Sequence, residues 1–349
     1  RPNPVDALIF STLAYVFYGD KAKAEPGQAM TLEECASEFF TLENPENRVR
    51  VKKDMDLLRA AAATTRFGQT RLCMYENRFL PEQETQFAAM TFLLDDGTMF
   101  VVYRGTDNSL VGWKEDFNMT FQQSIPAQRL AQEYIRRAAQ SAEAPIRVAG
   151  HSKGGNLAVF AAARCSPQVR ARILEVYNND GPGFTKYMMG DPGYLEVVPR
   201  IHTFVPQSSV IGMLLEHEEP YQVLRSSSVG IMQHDPYSWE VVGPDFVHVE
   251  GITGSSQFMD ATIKNWFASM TNQERNQLVE EMYALLSTGT AEHASEVFQP
   301  KNILTYAKTL SGDADMRHLL SEEFQGLITA ARKAYTTMSS KSLPAGKEK

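Results

Sequence analysis

Cysteine is scarce in this chain. Its 349 residues hold three, Cys35, Cys73 and Cys165, widely separated and without a CxxC spacing. So sparse and odd-numbered a set excludes a disulfide framework and a structural zinc site, and leaves the three as structural side chains. Long apolar runs are missing as well: no stretch of the sequence reaches the roughly 18 residues a membrane-spanning helix needs. Residues 1–18 lack the ordered basic region, apolar run and small-residue cleavage site of a signal peptide, so the expected location is cytoplasmic. Positive charge is not in excess. Asp and Glu number 42 against 34 Lys and Arg, a net charge of −8, which excludes a basic field for nucleic acid. There is no HExxH, no GxxxxGK and no paired carboxylate–histidine spacing, so neither a metal nor a cofactor is expected.

What remains describes a globular chain with a sizeable core: 43% of residues are hydrophobic and 22% charged. Helical spacing of apolar residues predicts helices over 6–18 and 31–40, the second opened by Thr31 and Glu34 as a capping box. A more polar helix is expected over 46–63. The pattern then changes. Two apolar runs, 87–94 and 99–103, are joined by Asp95-Asp96-Gly97-Thr98, which reads as a β-hairpin. Strands at 146–150, 173–178 and 201–205 alternate with helices at 128–140 and 155–164. Beyond residue 252 only helices are expected, at 255–269, 273–287, 303–310 and 321–338. A hairpin followed by strand–helix alternation predicts an α/β fold with a mostly parallel central sheet flanked by helices. The expected organisation is a core over 1–252, a helical C-terminal region over 253–338 packed on it, and a flexible tail over 339–349.

The segment VAGHSKGGNLAVFAAA carries the chemistry. An apolar strand ends at Gly150, Ser152 follows within two residues, and a helix of small residues begins at once. This is the layout of a nucleophile elbow, in which a serine occupies a strained strand-to-helix turn. Gly150 and Gly154 stand where a Cβ would collide across the turn. The helix N-terminus, beginning with the N–H of Lys153, then faces a developing oxyanion. A second donor is needed from a loop after an early strand. Thr106, in the strand end Tyr103-Arg104-Gly105-Thr106-Asp107, supplies it by order along the chain, with Asp116 as a brace. The Lys153 side chain itself is expected to be solvated.

The pairing of a YRGTD strand end with a later GHSKGG elbow resembles the class 3 lipases. More narrowly, it is similar to a bacterial family of lipase-like α/β hydrolases of uncharacterised function. The narrower likeness extends through NNDGPGF, FVPQSSVIGMLL and QHDPYSW and covers about residues 1–250. It implies an α/β-hydrolase fold and a Ser-His-acid hydrolase, and does not supply a substrate.

Ser152 needs a base, and the base a partner to orient it. Of seven histidines, His151 points away by turn geometry, His202 reads as a core residue within a strand and His217 as a solvated loop residue. His293 and His318 belong to the helical part. His234, in the turn-rich QHDP segment, is the expected base, with His248 as the alternative. The acid stays open. The resemblance implies a carboxylate near Gln207-Ser208-Ser209, and the sequence has none there. Asp180, ending the preceding strand, is the favoured acid; a hydroxyl of Ser208 or Ser209 holding the imidazole, or a degraded site, are the alternatives. Asp180 also fits a plain turn residue in its Asp-Gly-Pro-Gly corner.

The expected activity is hydrolysis of a carboxylic ester, small-molecule or lipid, through an acyl-enzyme on Ser152. Two other readings are carried along: a catalytically silent scaffold, and a serine peptidase or amidase of the same fold.

Overall fold

The computed structural model describes residues 1–107, 109–289 and 300–341. His293 and the tail beyond residue 341 lie outside the described residues. An eight-stranded sheet runs in strict chain order: β1 (Met30–Thr31), β2 (Arg71–Leu80), β3 (Thr85–Leu93), β4 (Met99–Tyr103), β5 (Ile146–His151), β6 (Ile173–Asn179), β7 (Ile201–Pro206) and β8 (Tyr221–Leu224). The first four strands pair antiparallel, and every pair from β4 to β8 is parallel. The hairpin expected around Asp95–Thr98 is the β3–β4 pair, with Leu93 opposite Met99. The ten-residue β2 and the short β8 were not anticipated.

Helices cover both faces. Along β4 the side chains alternate: Met99, Val101 and Tyr103 join one apolar core, Phe100 and Val102 the other. The second core is closed by α1 (Pro4–Leu13), α2 (Leu32–Phe39) and α3 (Lys52–Ala62). The first is closed mainly by α5 (Pro126–Ser141) and α6 (Lys153–Arg164), with α4 (Leu110–Asn118) beside them after the β4 loop. The Thr31–Glu34 capping box opens α2 as expected. Helix α1 stops five residues short of the expected end, because Tyr15, Val16 and Tyr18 leave the helix and still pack into the core.

Three short helices, α7 (Pro167–Arg170), α8 (Lys186–Met189) and α9 (Pro192–Val197), flank β6. A two-stranded ribbon, β9 (Val241–Val242) with β10 (Asp245–Phe246), follows β8. The C-terminal helices are α10 (Gly254–Ala268), α11 (Asn272–Ser287), α12 (Pro300–Gly312) and α13 (Ala314–Lys341). They meet the rest of the chain at α4 and, through Ser256 of α10, at the loop after β7. Lys114 of α4 pairs with Glu280 at 2.8 Å and Glu84 at 2.7 Å, and Leu110 packs with Tyr306. No helix among the described residues is long and apolar enough to cross a membrane. The three cysteines are free and buried, and burial pushes the thiols up, to about 12 for Cys35 and Cys73 and about 11 for Cys165.

Candidate active site

The parallel strands β5, β6 and β7 end side by side, and the residues that follow them meet there. After β5 comes Ser152, at φ 60° and ψ −134° between strand and helix α6. A left-handed backbone at a serine is strained and is held only where its surroundings over-determine it. Here the Ser152 N–H donates to the Asn179 carbonyl at 3.0 Å, and its carbonyl accepts from Gly155 N–H at 2.8 Å. Gly150 is needed for close approach: a Cβ there would lie 2.0 Å from the Gly154 carbonyl oxygen. Among the described residues the Ser152 hydroxyl has no hydrogen-bond partner, and the residue is half-buried.

After β6 comes Asp180, fully buried, with φ 53°. The turn that follows is closed by Asn178, whose Oδ1 accepts from the Gly181 N–H at 2.9 Å. Asp180 is therefore not occupied as the turn's Asx residue. Its carboxylate instead accepts from the Ser209 hydroxyl at 2.5 Å on Oδ1 and meets His234 Nδ1 at 2.6 Å on Oδ2. Neither serine of the β7 loop reaches the imidazole: the Ser208 hydroxyl pairs with Thr253 at 3.1 Å. His248, the alternative base, sits half-exposed beside Asp245 at 3.3 Å.

His234 closes a one-turn helix, Gly230–His234, after β8. Three contacts fix that turn. Trp239 Nε1 donates to the Gln233 carbonyl at 2.9 Å, and the Gln233 side chain accepts from Ser208 N–H at 2.8 Å. The third joins it to the elbow: His151 Nε2 donates to the His234 carbonyl at 2.9 Å, with the two rings 4.6 Å apart. Burial first, then the neighbouring His234 and Arg50, hold His151 well below the usual imidazole range. A neutral ring donating from Nε2 must accept at Nδ1, and the Tyr15 hydroxyl, raised to about 12 by burial, donates there at 3.0 Å. His151 is thus a structural strut between Tyr15, just after α1, and the His234 turn.

The β4 loop lies against the elbow. A Cβ on Gly105 would stand 3.0 Å from Ser152 Cβ and 2.5 Å from the His151 carbonyl, so the loop packs on Ser152 at Gly105, the residue before Thr106. The Thr106 hydroxyl donates to Asp116 Oδ2 at 2.6 Å, and Arg104 anchors the loop through Asn77 at 3.1 Å and the face of Phe17.

Three side chains differ from their expected settings. Lys153 is not solvated. It is 1% exposed, its Nζ donating to Glu115 Oε2 at 2.7 Å and the Gln86 carbonyl at 2.9 Å, because α6 points its first side chain down between β3 and α4. His217 is not solvated either: Nδ1 meets Glu219 at 3.1 Å and Nε2 the Gly212 carbonyl at 2.9 Å. His202 is not in the core. It is half-exposed, stacked on Tyr177 and 4.0 Å from Glu175, because its face of β7 is left uncovered there. Glu115 was the residue missed, and Ser209, weighed as a holder of the imidazole, bonds to Asp180 instead. A buried lysine requires a buried carboxylate, and the adjacent Glu115-Asp116 pair near the elbow was the available signal.

Burial raises Asp116 to about 6, offset in part by Lys153 and Thr106. A folded-state pKa above the unfolded one means that the ionised carboxylate costs stability above about pH 6, a cost relieved as pH falls towards 4. Asp116→Asn should therefore unfold at higher denaturant than wild type at pH 8 and at the same denaturant at pH 4. A constant difference across that range would refute the assignment of this shift.

A family model described as Mbeg1-like matches residues 61–284, more than half of the chain. The chain belongs to the Mbeg1-like family. That family is lipase-like and related to the class 3 lipases, and its matched span includes the elbow, Thr106, Asp180 and His234. No curated protein matches this Mbeg1-like chain. Among solved structures it is similar to the Rhizomucor miehei lipase propeptide complex, at 14% identity and a TM-score of 0.36, over 51% of this chain and 70% of that one. Among the described residues no group of three or more His, Cys, Asp or Glu side chains is arranged to hold a metal ion.

Proposed function

We infer that this Mbeg1-like protein is an α/β-hydrolase-fold serine hydrolase acting on carboxylic esters. The observation that carries the reading is the bond of 2.6 Å between His234 Nδ1 and the buried Asp180 carboxylate. It links the loops after β6 and β8, beside a serine held at positive φ after β5. Asp180 keeps the proton on Nδ1, which leaves Nε2 as the free base for Ser152. Ser152 then attacks the ester carbonyl, and His234 takes its proton and returns it to the leaving alkoxide. The N–H groups of Thr106 and Lys153 stabilise the oxyanion. Water, activated by the same imidazole, releases the acid from the acyl-enzyme. An apolar acyl group is the preferred substrate. Val229, Ile231 and Met232, on the turn ending in His234, are 80%, 60% and 65% exposed, an unusual concentration of bare apolar surface beside a catalytic base.

The test is a panel of p-nitrophenyl esters of increasing chain length set against aminoacyl nitroanilides. Ester turnover well above the Ser152→Ala background, with little amide cleavage, is the expected result. Faster amide cleavage would make the protein an amidase, and no turnover of either would make it a silent scaffold.

A further inference from the structure

Beyond the triad, a second buried histidine–carboxylate pair lies behind its acid. His217 and Glu219 are both almost wholly buried, on the segment entering β8. Glu219 is saturated: Oε1 accepts from His217 and from the Thr203 hydroxyl at 2.7 Å, and Oε2 from the Tyr194 hydroxyl at 2.7 Å. Burial acts to raise this carboxyl, yet the His217 bond and charge, with the two hydroxyls, hold it below the usual range. The other nitrogen of His217 faces the Gly212 carbonyl at 2.9 Å. The two ring nitrogens thus tie Glu219 on one side to the Gly212 backbone on the other.

What His217 holds is the turn Ile211–Met213, which borders Asp180. A Cβ on Gly212 would lie 2.2 Å from Asp180 Oδ1, so this backbone packs directly on the carboxylate. The Gly212 N–H donates to the Ser209 hydroxyl at 3.1 Å, and that hydroxyl donates to Asp180 at 2.5 Å. A chain of bonds therefore runs Glu219, His217, Gly212, Ser209, Asp180, His234. The Ser209 carbonyl is itself held by the Ser256 hydroxyl of α10.

We propose that His217 is a positioning residue for the acid of the triad, fixing the Gly212 turn so that Ser209 locks the Asp180 carboxylate in the plane that His234 requires. The proposal rests on the hydrolase reading above. Losing the lock removes one charge-assisted hydrogen bond from Asp180, which corresponds to about a tenfold loss in rate.

The experiment compares His217→Leu, His217→Gln and Ser209→Ala with wild type. It measures kcat and KM on a p-nitrophenyl ester, and the downfield proton resonance of the His234 Nδ1–H bonded to Asp180. His217→Leu and Ser209→Ala should each lower kcat about tenfold with KM within twofold, and move that resonance upfield. His217→Gln places an amide nitrogen where Nε2 stood and should restore most of both. Wild-type kcat and an unmoved resonance in His217→Leu would overturn the proposal. So would equal losses in the Gln and Leu variants, which would mark a purely structural role. If the wild type turns over no ester, the hydrolase reading fails, while the resonance still reports whether His217 governs the Asp180–His234 pair.

Discussion

Asp180→Asn is expected to lower kcat for an ester by about 10⁴-fold with little change in KM, in a chain that remains folded. The size of the loss follows from which end of the new amide meets His234. Ser209 donates to Oδ1 at 2.5 Å and would keep the amide oxygen there. The amide NH₂ must then face Nδ1, where Oδ2 now lies at 2.6 Å. An NH₂ cannot accept a proton, so His234 would shift its own to Nε2 and present an N–H to Ser152 instead of a lone pair. The base would be in place and in the wrong tautomer. Asp235, the neighbouring carboxylate, bonds to the Tyr237 N–H and is partly exposed, so Asp235→Asn should leave kcat near wild type. The reverse result from steady-state kinetics of the two variants would place the acid elsewhere.

Lys153→Met is expected to cost about 3–5 kcal/mol of stability, read from equilibrium urea unfolding. Glu115 is fully buried and accepts Lys153 Nζ, the Gln86 N–H at 3.2 Å and the Ala127 N–H at 3.0 Å. Removing the lysine leaves a buried carboxylate with two N–H groups and no counter-charge. Neutralising it in Lys153→Met/Glu115→Gln should recover a large part of the loss, as expected for two partners of one bond. The activity of Lys153→Met should fall further than its stability explains. Lys153 Nζ also lies 4.0 Å from Asp116, and without that charge Asp116 takes up a proton at higher pH and releases Thr106. A loss below 1 kcal/mol would mean that Glu115 protonates at little cost and that the pair is not structural.

The pattern of strands and helices around the elbow was legible because each element there carries a simple period or a small-residue run bounded by turn residues. Strand β2 escaped because its period is broken. Leu72 to Tyr75 are buried four in succession, Met74 lies at φ 54°, and the register shifts between Cys73 and Glu76. Strand β8 is only four residues long and escaped for lack of length. Helix α4 escaped as well, although Ser109, whose hydroxyl accepts from the Gly112 N–H, caps it.

At the site, the serine announces itself through local sterics, which a pentapeptide can encode. The partners of a buried charge are set by packing between distant elements, which it cannot. Lys153 looked solvated because Glu115 is 38 residues away in sequence, and His217 looked solvated among three glutamates, of which Glu219 alone folds inward. Which of Asp180 and the serines of the β7 loop meets the imidazole is a matter of three-dimensional geometry, which the sequence does not carry. The two were weighed as alternatives, yet Ser209 and Asp180 are bonded to one another, and only Asp180 faces the imidazole.

The proposed function requires Ser152 to be an activated nucleophile. Treatment of the full chain with a fluorophosphonate, followed by mass spectrometry of the intact protein and its peptides, tests it most directly. One adduct on the peptide containing Ser152 is predicted, absent in Ser152→Ala and much slower in His234→Ala. A wild-type chain that stays unmodified, or an adduct that persists in Ser152→Ala, would contradict it.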